Sequence, residues 1–204
     1  MKPLSYLLQH KRKIRVIGFD DAPFFRPPGG NLAAREEGAK VSISGVVCSN
    51  TRFEGMIWAT VEQDGLDATD TISQTLQNSK FLPQLHLILF DGIAFGGFNI
   101  IDLPLLHQRL QIPCIAVMRH QPNLPAVKDA IKRLPQAETR LEILQRAGTI
   151  YEYPPFVFQV CGEEPEIIAA TLHRLTDCGK VPEALRLAHL IGAAVIKGES
   201  GSSA

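Results

Sequence analysis

The stretch Leu85–Leu103, LHLILFDGIAFGGFNIIDL, decides how this chain is read. Its first half is a continuous apolar run that stops at Asp91 and opens into a glycine-rich loop carrying Phe95, Phe98 and Asn99. A short run without polar alternation is the pattern of a strand covered on both faces. When such a strand stops at a carboxylate, the carboxylate lies at the carboxyl edge of a parallel sheet, where open α/β folds bind ligands.

Working outward, KIRVIGFDD reads as a first strand over Ile14 to Phe19, with Asp20 and Asp21 at its exit. The prolines and glycines of APFFRPPGGN exclude regular structure after it. KVSISGVVCS and RFEGMIWATVEQ then form two β-branched and aromatic runs close enough for an antiparallel hairpin, so three strands are expected before any helix. DGLDATDTISQTLQNSKF is expected to be helical, with Ile72, Leu76 and Phe81 on one face and Asp67, Thr69 or Asp70 as caps.

Beyond Asp91, NIIDLPLLHQRLQ reads as a helix with Pro104 in its first turn, and IPCIAVM as another buried strand. PAVKDAIKRL and AETRLEILQRAG follow as helices, YEYPPFVFQVCG as a strand interrupted by prolines, and Ile167 to Thr176 and Ala184 to Lys197 as two last helices. From about residue 198 the tail GESGSSA is expected to be flexible. The fold class is α/β: a ribonuclease-H-like mixed β-sheet, three antiparallel strands and then parallel ones, flanked by helices in one domain over 1–204.

At 204 residues, 45% apolar and 21% charged, the composition is that of an ordinary globular protein. The 21 basic and 21 acidic residues cancel, so no overall field attracts a polyanion and nucleic-acid binding must rest on a local patch. Lys11, Arg12, Lys13 and Arg15 form one such cluster, although runs of this kind are usually only a solvated terminus. Cys48, Cys114, Cys161 and Cys178 have no paired spacing and are expected as reduced core thiols in a cytoplasmic protein. LSYLL is too short for a secretory core, and no run approaches the roughly 20 apolar residues of a membrane span.

In such a sheet, Asp20 and Asp91 emerge side by side. Adjacent, partly buried carboxylates repel, and a divalent cation is the common remedy. No basic residue lies between Arg52 and Lys80, whereas Glu54, Glu62, Asp64, Asp67 and Asp70 all do, so this block offers a third carboxylate. Three carboxylates suit Mg²⁺ or Mn²⁺, which activate water and stabilise a phosphoryl displacement. Asp67 and Asp70 as mere caps, and Asp64 as a turn residue, are the plainer readings of the same residues.

VIGFDDAPF, LILFDGIAFGGFN, IPCIAVMRH and VPEALRLAHLIGAAV, in this order, resemble the endonuclease V superfamily, and most closely its branch known as domain of unknown function 99. The resemblance runs from about Arg15 to Glu199, with FDG and PEALRLAHLI its most specific parts. It implies the same fold and an endonuclease that hydrolyses phosphodiester bonds near a deaminated purine such as inosine, with Mg²⁺ on a carboxylate triad. Asp20 and Asp91 match two of the triad; the third, a glutamate in the family, is matched best by Asp70 and next by Asp67. Arg119 stands where the family has a lysine and would contact phosphate, while His189 matches a histidine near the metal. Gly92, Gly96 and Gly97 would let backbone approach a base, with Phe95 or Phe98 stacking on it.

The family's aromatic and proline wedge has no counterpart in GMIWATVEQDGLDATD, where Trp58 is expected in a strand. A duplex is then harder to open, so RNA or single-stranded DNA is the expected substrate. Two alternatives share the fold: a non-catalytic nucleic-acid- or protein-binding module, indifferent to metal, and a metal-dependent nucleotide phosphohydrolase. The segment from Ala22 to Lys40, beginning with Phe24, Phe25 and Arg26, reads as either a lid or a packing element, and its paired aromatics point to at least partial burial.

Overall fold

Alternation along the central strands splits each apolar run between two cores. In the computed structural model, which describes residues 2–25 and 38–201, β1 (Arg15–Asp21) sends Ile17 and Phe19 to one face and Val16 to the other. Likewise β4 (Leu87–Asp91) directs Ile88 and Phe90 one way and Leu87 and Leu89 the other, and β7 (Cys114–Met118) repeats the division with Ala116 and Val117. A strand covered on both faces needs no polar alternation, which is why these three read as unbroken hydrophobic runs.

Around them, β2 (Lys40–Ser49) and β3 (Arg52–Glu62) extend one side, and β9 (Phe156–Cys161) and β8 (Tyr151–Tyr153) the other, giving the order β3-β2-β1-β4-β7-β9-β8. β1 pairs antiparallel with β2 and parallel with β4; β4 is parallel to β7, and β9 is antiparallel to β7. The expected mixed sheet is therefore present. Helices α2 (Ala68–Gln77) and α3 (Leu103–Leu110) cover one face through Ile72, Leu76, Leu103 and Leu106. On the other face lie α1 (Leu4–Gln9), α6 (Pro165–Leu175) and α7 (Glu183–Lys197), while α4 (Leu124–Ile131) and α5 (Ala137–Arg146) close a small third cluster. Among the described residues no helix is long and apolar enough to cross a membrane.

Four expectations change. A helix does precede the first strand: α1 buries Leu4 and Leu7, one turn apart, but six residues are too few to show a helical period. Asn99 and Ile100 belong to β6 (Asn99–Ile100), which pairs with β5 (Ala94–Phe95), so the helix expected from Asn99 begins at Leu103 behind an Asp102 cap. The strand expected across YEYPPFVFQVCG turns back at Pro154 and Pro155 into the β8–β9 hairpin, because neither proline can donate to a ladder. Of the four free cysteines, Cys178 is exposed rather than in the core.

α7 lies directly on β1. A Cβ at Gly18 would fall 2.7 Å from the Ala184 carbonyl carbon and 2.8 Å from the Leu185 nitrogen, so only glycine lets the two backbones approach this closely. One turn on, the Ser44 hydroxyl donates to the Ala188 carbonyl at 2.8 Å, and at the far end of the contact Gly192 faces Ala22. Gly18→Ala is expected to push α7 off the sheet and destabilise the protein by about 2 kcal/mol, the usual cost of overpacking. A thermal midpoint equal to the parent's in a calorimetric scan would contradict this packing.

Candidate metal centre

The register Phe19↔Phe90 between parallel neighbours brings the next residues, Asp20 and Asp91, to the same edge. Both share the side-chain parity of the residues beneath α7: Val16 and Gly18 on β1, Leu87 and Leu89 on β4. His189 lies one helical turn beyond Leu185, which packs on Gly18, so the imidazole descends onto the two carboxylates. Its Nδ1 is 2.8 Å from Asp20 Oδ2. One donor atom from each of Asp20, Asp91 and His189 lies within 4.8 Å of the others. Arg119, just past β7, places Nη2 3.4 Å from Asp91 Oδ2, and the group opens into a cleft of about 420 Å³ that Asp21, Ala22 and Phe24 also line.

Asp20 is 4% exposed, and its carboxyl is pushed up to about 8 from an ordinary 3.8. Burial is the main cause, followed by the negative charges of Asp91 and Asp21; Arg119 opposes them only weakly. A group this uncomfortable when charged is relieved by a cation. Two carboxylates and an imidazole offer two oxygens and one nitrogen, which fit Mg²⁺ through the oxygens and Mn²⁺ through all three.

The carboxylates expected from the acidic block lie elsewhere. Asp70, on the exposed side of α2, is ion-paired with Arg109 and is not in the group, so the third donor brought to this edge is His189. Asp67 precedes α2 without capping it: its side chain accepts from the Glu62 backbone N–H at 3.0 Å and from Asn99 Nδ2 at 2.6 Å. Asn99 takes over the capping, its Oδ1 accepting from the Ala68 N–H. Nothing in the spacing of the acidic residues shows which of them an asparagine thirty residues later will occupy.

The glycine loop is likewise knitted in. Phe95, expected to stack on a base, is wholly buried and packs edge-on against Phe90. Phe98 is half-buried in the small cluster beside α5. Gly96 donates its N–H to Asp21 Oδ2 at 2.7 Å, and a Cβ on Gly97 would collide with the Asp64 carboxylate. Only at Gly92, with φ of 87°, does the missing side chain face open space. Sequence reading missed Arg140, 3% exposed, which donates to the carbonyls of Asp64, Gly65, Phe98 and Pro135 and so ties the acidic turn to this loop. An arginine buried by carbonyls of distant turns gives no local signal.

Of the segment from Ala22 to Lys40, Phe24 packs on the core while Phe25 is 72% exposed, so the expected burial holds for one phenylalanine of the two. Arg26 and the rest of the proposed lid, 26–37, lie outside the described residues, as do 202–204 of the tail. The basic cluster Lys11 to Arg15 sits at the opposite end of β1 from the cleft, where Arg15 pairs with Glu54 at 2.7 Å.

The chain matches the endonuclease dU family over residues 12–196. A UPF0215 protein of Methanopyrus kandleri is 36% identical, the alignment covering 97% of this chain and 99% of that one. A protein of unknown function from Archaeoglobus fulgidus superposes with a TM-score of 0.81 at 30% identity, over 90% of this chain and 98% of that one. Endonuclease V of Ciona intestinalis, in complex with a 24mer DNA containing an inosine followed by a ribo-adenosine, gives 0.55 at 14% identity, over 96% and 95%. The last likeness is one of fold, and agrees with the superfamily resemblance read from the sequence.

Because Asp20 has a higher pKa folded than unfolded, its contribution to stability is full below about 3.8 and is lost as pH rises through about 8. Asp20→Asn is therefore expected to stabilise the metal-free protein at pH 9 by on the order of 2 kcal/mol and to change little at pH 4. Mn²⁺ should raise the thermal midpoint of the parent and of Asp70→Asn, but not of Asp20→Asn or Asp91→Asn. An Mn²⁺ shift that disappears with Asp70→Asn would return the third ligand to α2.

Proposed function

The chain belongs to the endonuclease dU family, and we propose that it is a divalent-metal-dependent endonuclease that hydrolyses phosphodiester bonds of RNA or single-stranded DNA beside a deaminated base. One observation carries the reading: Asp20, Asp91 and His189 converge at the carboxyl edge of the sheet, in an open cleft with Arg119 beside them. Asp20 and Asp91 would hold Mg²⁺ or Mn²⁺, joined by His189 for Mn²⁺, and the ion would supply positive charge to the scissile phosphate and acidify an attacking water.

The remaining roles belong to the chain. Arg119, always charged and forked, binds the non-bridging oxygens of the phosphate or of its neighbour. His189, with Nδ1 turned to Asp20, fixes the orientation of that carboxylate. Gly92, with open space where a side chain would stand, lets a base edge come close to Asp91. Support for a deaminated base comes from the family's name and from the inosine-containing DNA held by the Ciona endonuclease V.

A second reading, a binding module without catalysis, is favoured by the engagement of Asp70 with Arg109, which leaves two carboxylates rather than three in the group of converging donors. Single-stranded RNA and DNA oligonucleotides carrying no modified base, one inosine or one deoxyuridine, incubated with Mg²⁺ or Mn²⁺, separate the two. The parent should cut, Asp91→Asn should lose at least about 100-fold in rate, and Arg119→Ala about 10- to 100-fold, with Arg119→Lys retaining more. Equal cutting by Asp91→Asn would refute the metal reading; metal-indifferent binding without cutting would leave the module. Turnover of free nucleotides with intact polymers would instead select the phosphohydrolase.

A further inference from the structure

A second cavity, of about 210 Å³, opens on the far side of the Asp91–Arg119 pair from the cleft. Asp91 and Arg119 line both, so the two adjoin at this ion pair, at the carboxyl edge of the sheet. Its floor is apolar, built by Val117 and Met118 at the end of β7, Pro155 in the β8–β9 turn, and Val181 ahead of α7. Its rim carries Arg119, His120 and Lys180, with Asp91 the sole acidic residue among the described residues that line it. Val117 is the register partner of Asp91, so the floor begins one strand spacing, about 4.8 Å, from the metal-side carboxylate.

Apolar side chains flanked by Arg119 and Lys180 suit a weakly polar ring attached to an anion. We infer that this cavity is a subsite for the base of the nucleotide adjoining the scissile phosphate; the inference takes its substrate class from the nuclease reading. Seated there, the ring rests on Met118, Pro155 and Val181, while Arg119 and Lys180 meet the phosphates on either side. The cavity has about half the volume of the cleft, which suits a single base resting on protein rather than on its neighbours in a stack. A base seated there has left its stack, so the subsite favours a single-stranded substrate, independently of the missing wedge. It is separate from the glycine loop, which lies across Asp91 on the other wall.

The test is binding, with Ca²⁺ as the metal. Fluorescence anisotropy of single-stranded oligonucleotides, each abasic at one successive position, is compared between the parent and Val181→Trp, which fills the cavity. In the parent, one position beside the bond cut with Mn²⁺ should weaken binding about tenfold or more when abasic, as expected for the loss of a stacked base. In Val181→Trp that same substitution should cost nothing, the intact oligonucleotide already binding about tenfold more weakly. If every abasic oligonucleotide binds the parent alike, or the loss persists in Val181→Trp, the subsite does not exist.

Lys180→Glu, an exposed change with no risk to the core, should weaken intact oligonucleotides about fivefold or more, and unchanged affinity there also overturns the subsite. The abasic coupling without any cleavage would support the subsite while refuting the nuclease reading. No binding by the parent would refute the subsite whatever else the protein does.

Discussion

Two carboxylates that repel each other are held together at the end of a fully covered parallel strand pair. Asp20 and Asp91 cannot separate, because β1 and β4 are fixed by hydrogen bonds below them and by a hydrophobic core on each face. Nor can Asp20 turn to solvent, because α7 lies on Gly18 with backbone-to-backbone closeness and sets His189 over it. The strain of this arrangement is electrostatic, visible in a carboxyl pushed up to about 8. Placing such strain where ligands of α/β sheets bind is the mark of a site rather than of a stabilising core.

The geometry also explains how α7 becomes part of the site. Helices over a sheet normally stand off by the depth of a side chain. Here Gly18, Gly192 and the Ser44–Ala188 hydrogen bond remove that distance, so a histidine on a helix reaches atoms at a strand end. On the opposite face, Arg140 and Asn99 hold the acidic turn against the glycine loop, fixing that wall of the cleft through carbonyls and amides rather than through charge pairs. One wall of the cleft is thus set by close packing and the other by a buried polar network.

What the sequence displayed were features with a local signature. Continuous apolar runs identified β1, β4 and β7, and the order of three strands, helix, strand, helix and strand made β1 and β4 parallel neighbours, so Asp20 and Asp91 were legible side by side. His189 and Arg119 came through a family resemblance, and the structure places both beside them. What stayed hidden depended on distant partners. Asp70 and Asp67 looked like metal ligands until Arg109 and Asn99, which no spacing rule links to them, claimed their oxygens. Phe95 reads as a stacking residue ahead of Gly96 and Gly97, yet it is wholly buried against Phe90, a partner no local pattern links to it. The hairpin at Pro154 and the short α1 were lost for a simpler reason: three to six residues are too few to show a period.

The composition of the metal centre is the claim on which the rest depends, and pulsed electron paramagnetic resonance of the Mn²⁺-loaded protein addresses it most directly. Two carboxylates and one imidazole predict a single bound Mn²⁺ with a directly coordinated nitrogen, whose coupling vanishes in His189→Gln while the ion is retained more weakly. An ion with oxygen ligands alone, unchanged in His189→Gln, or no ion at all, would contradict it.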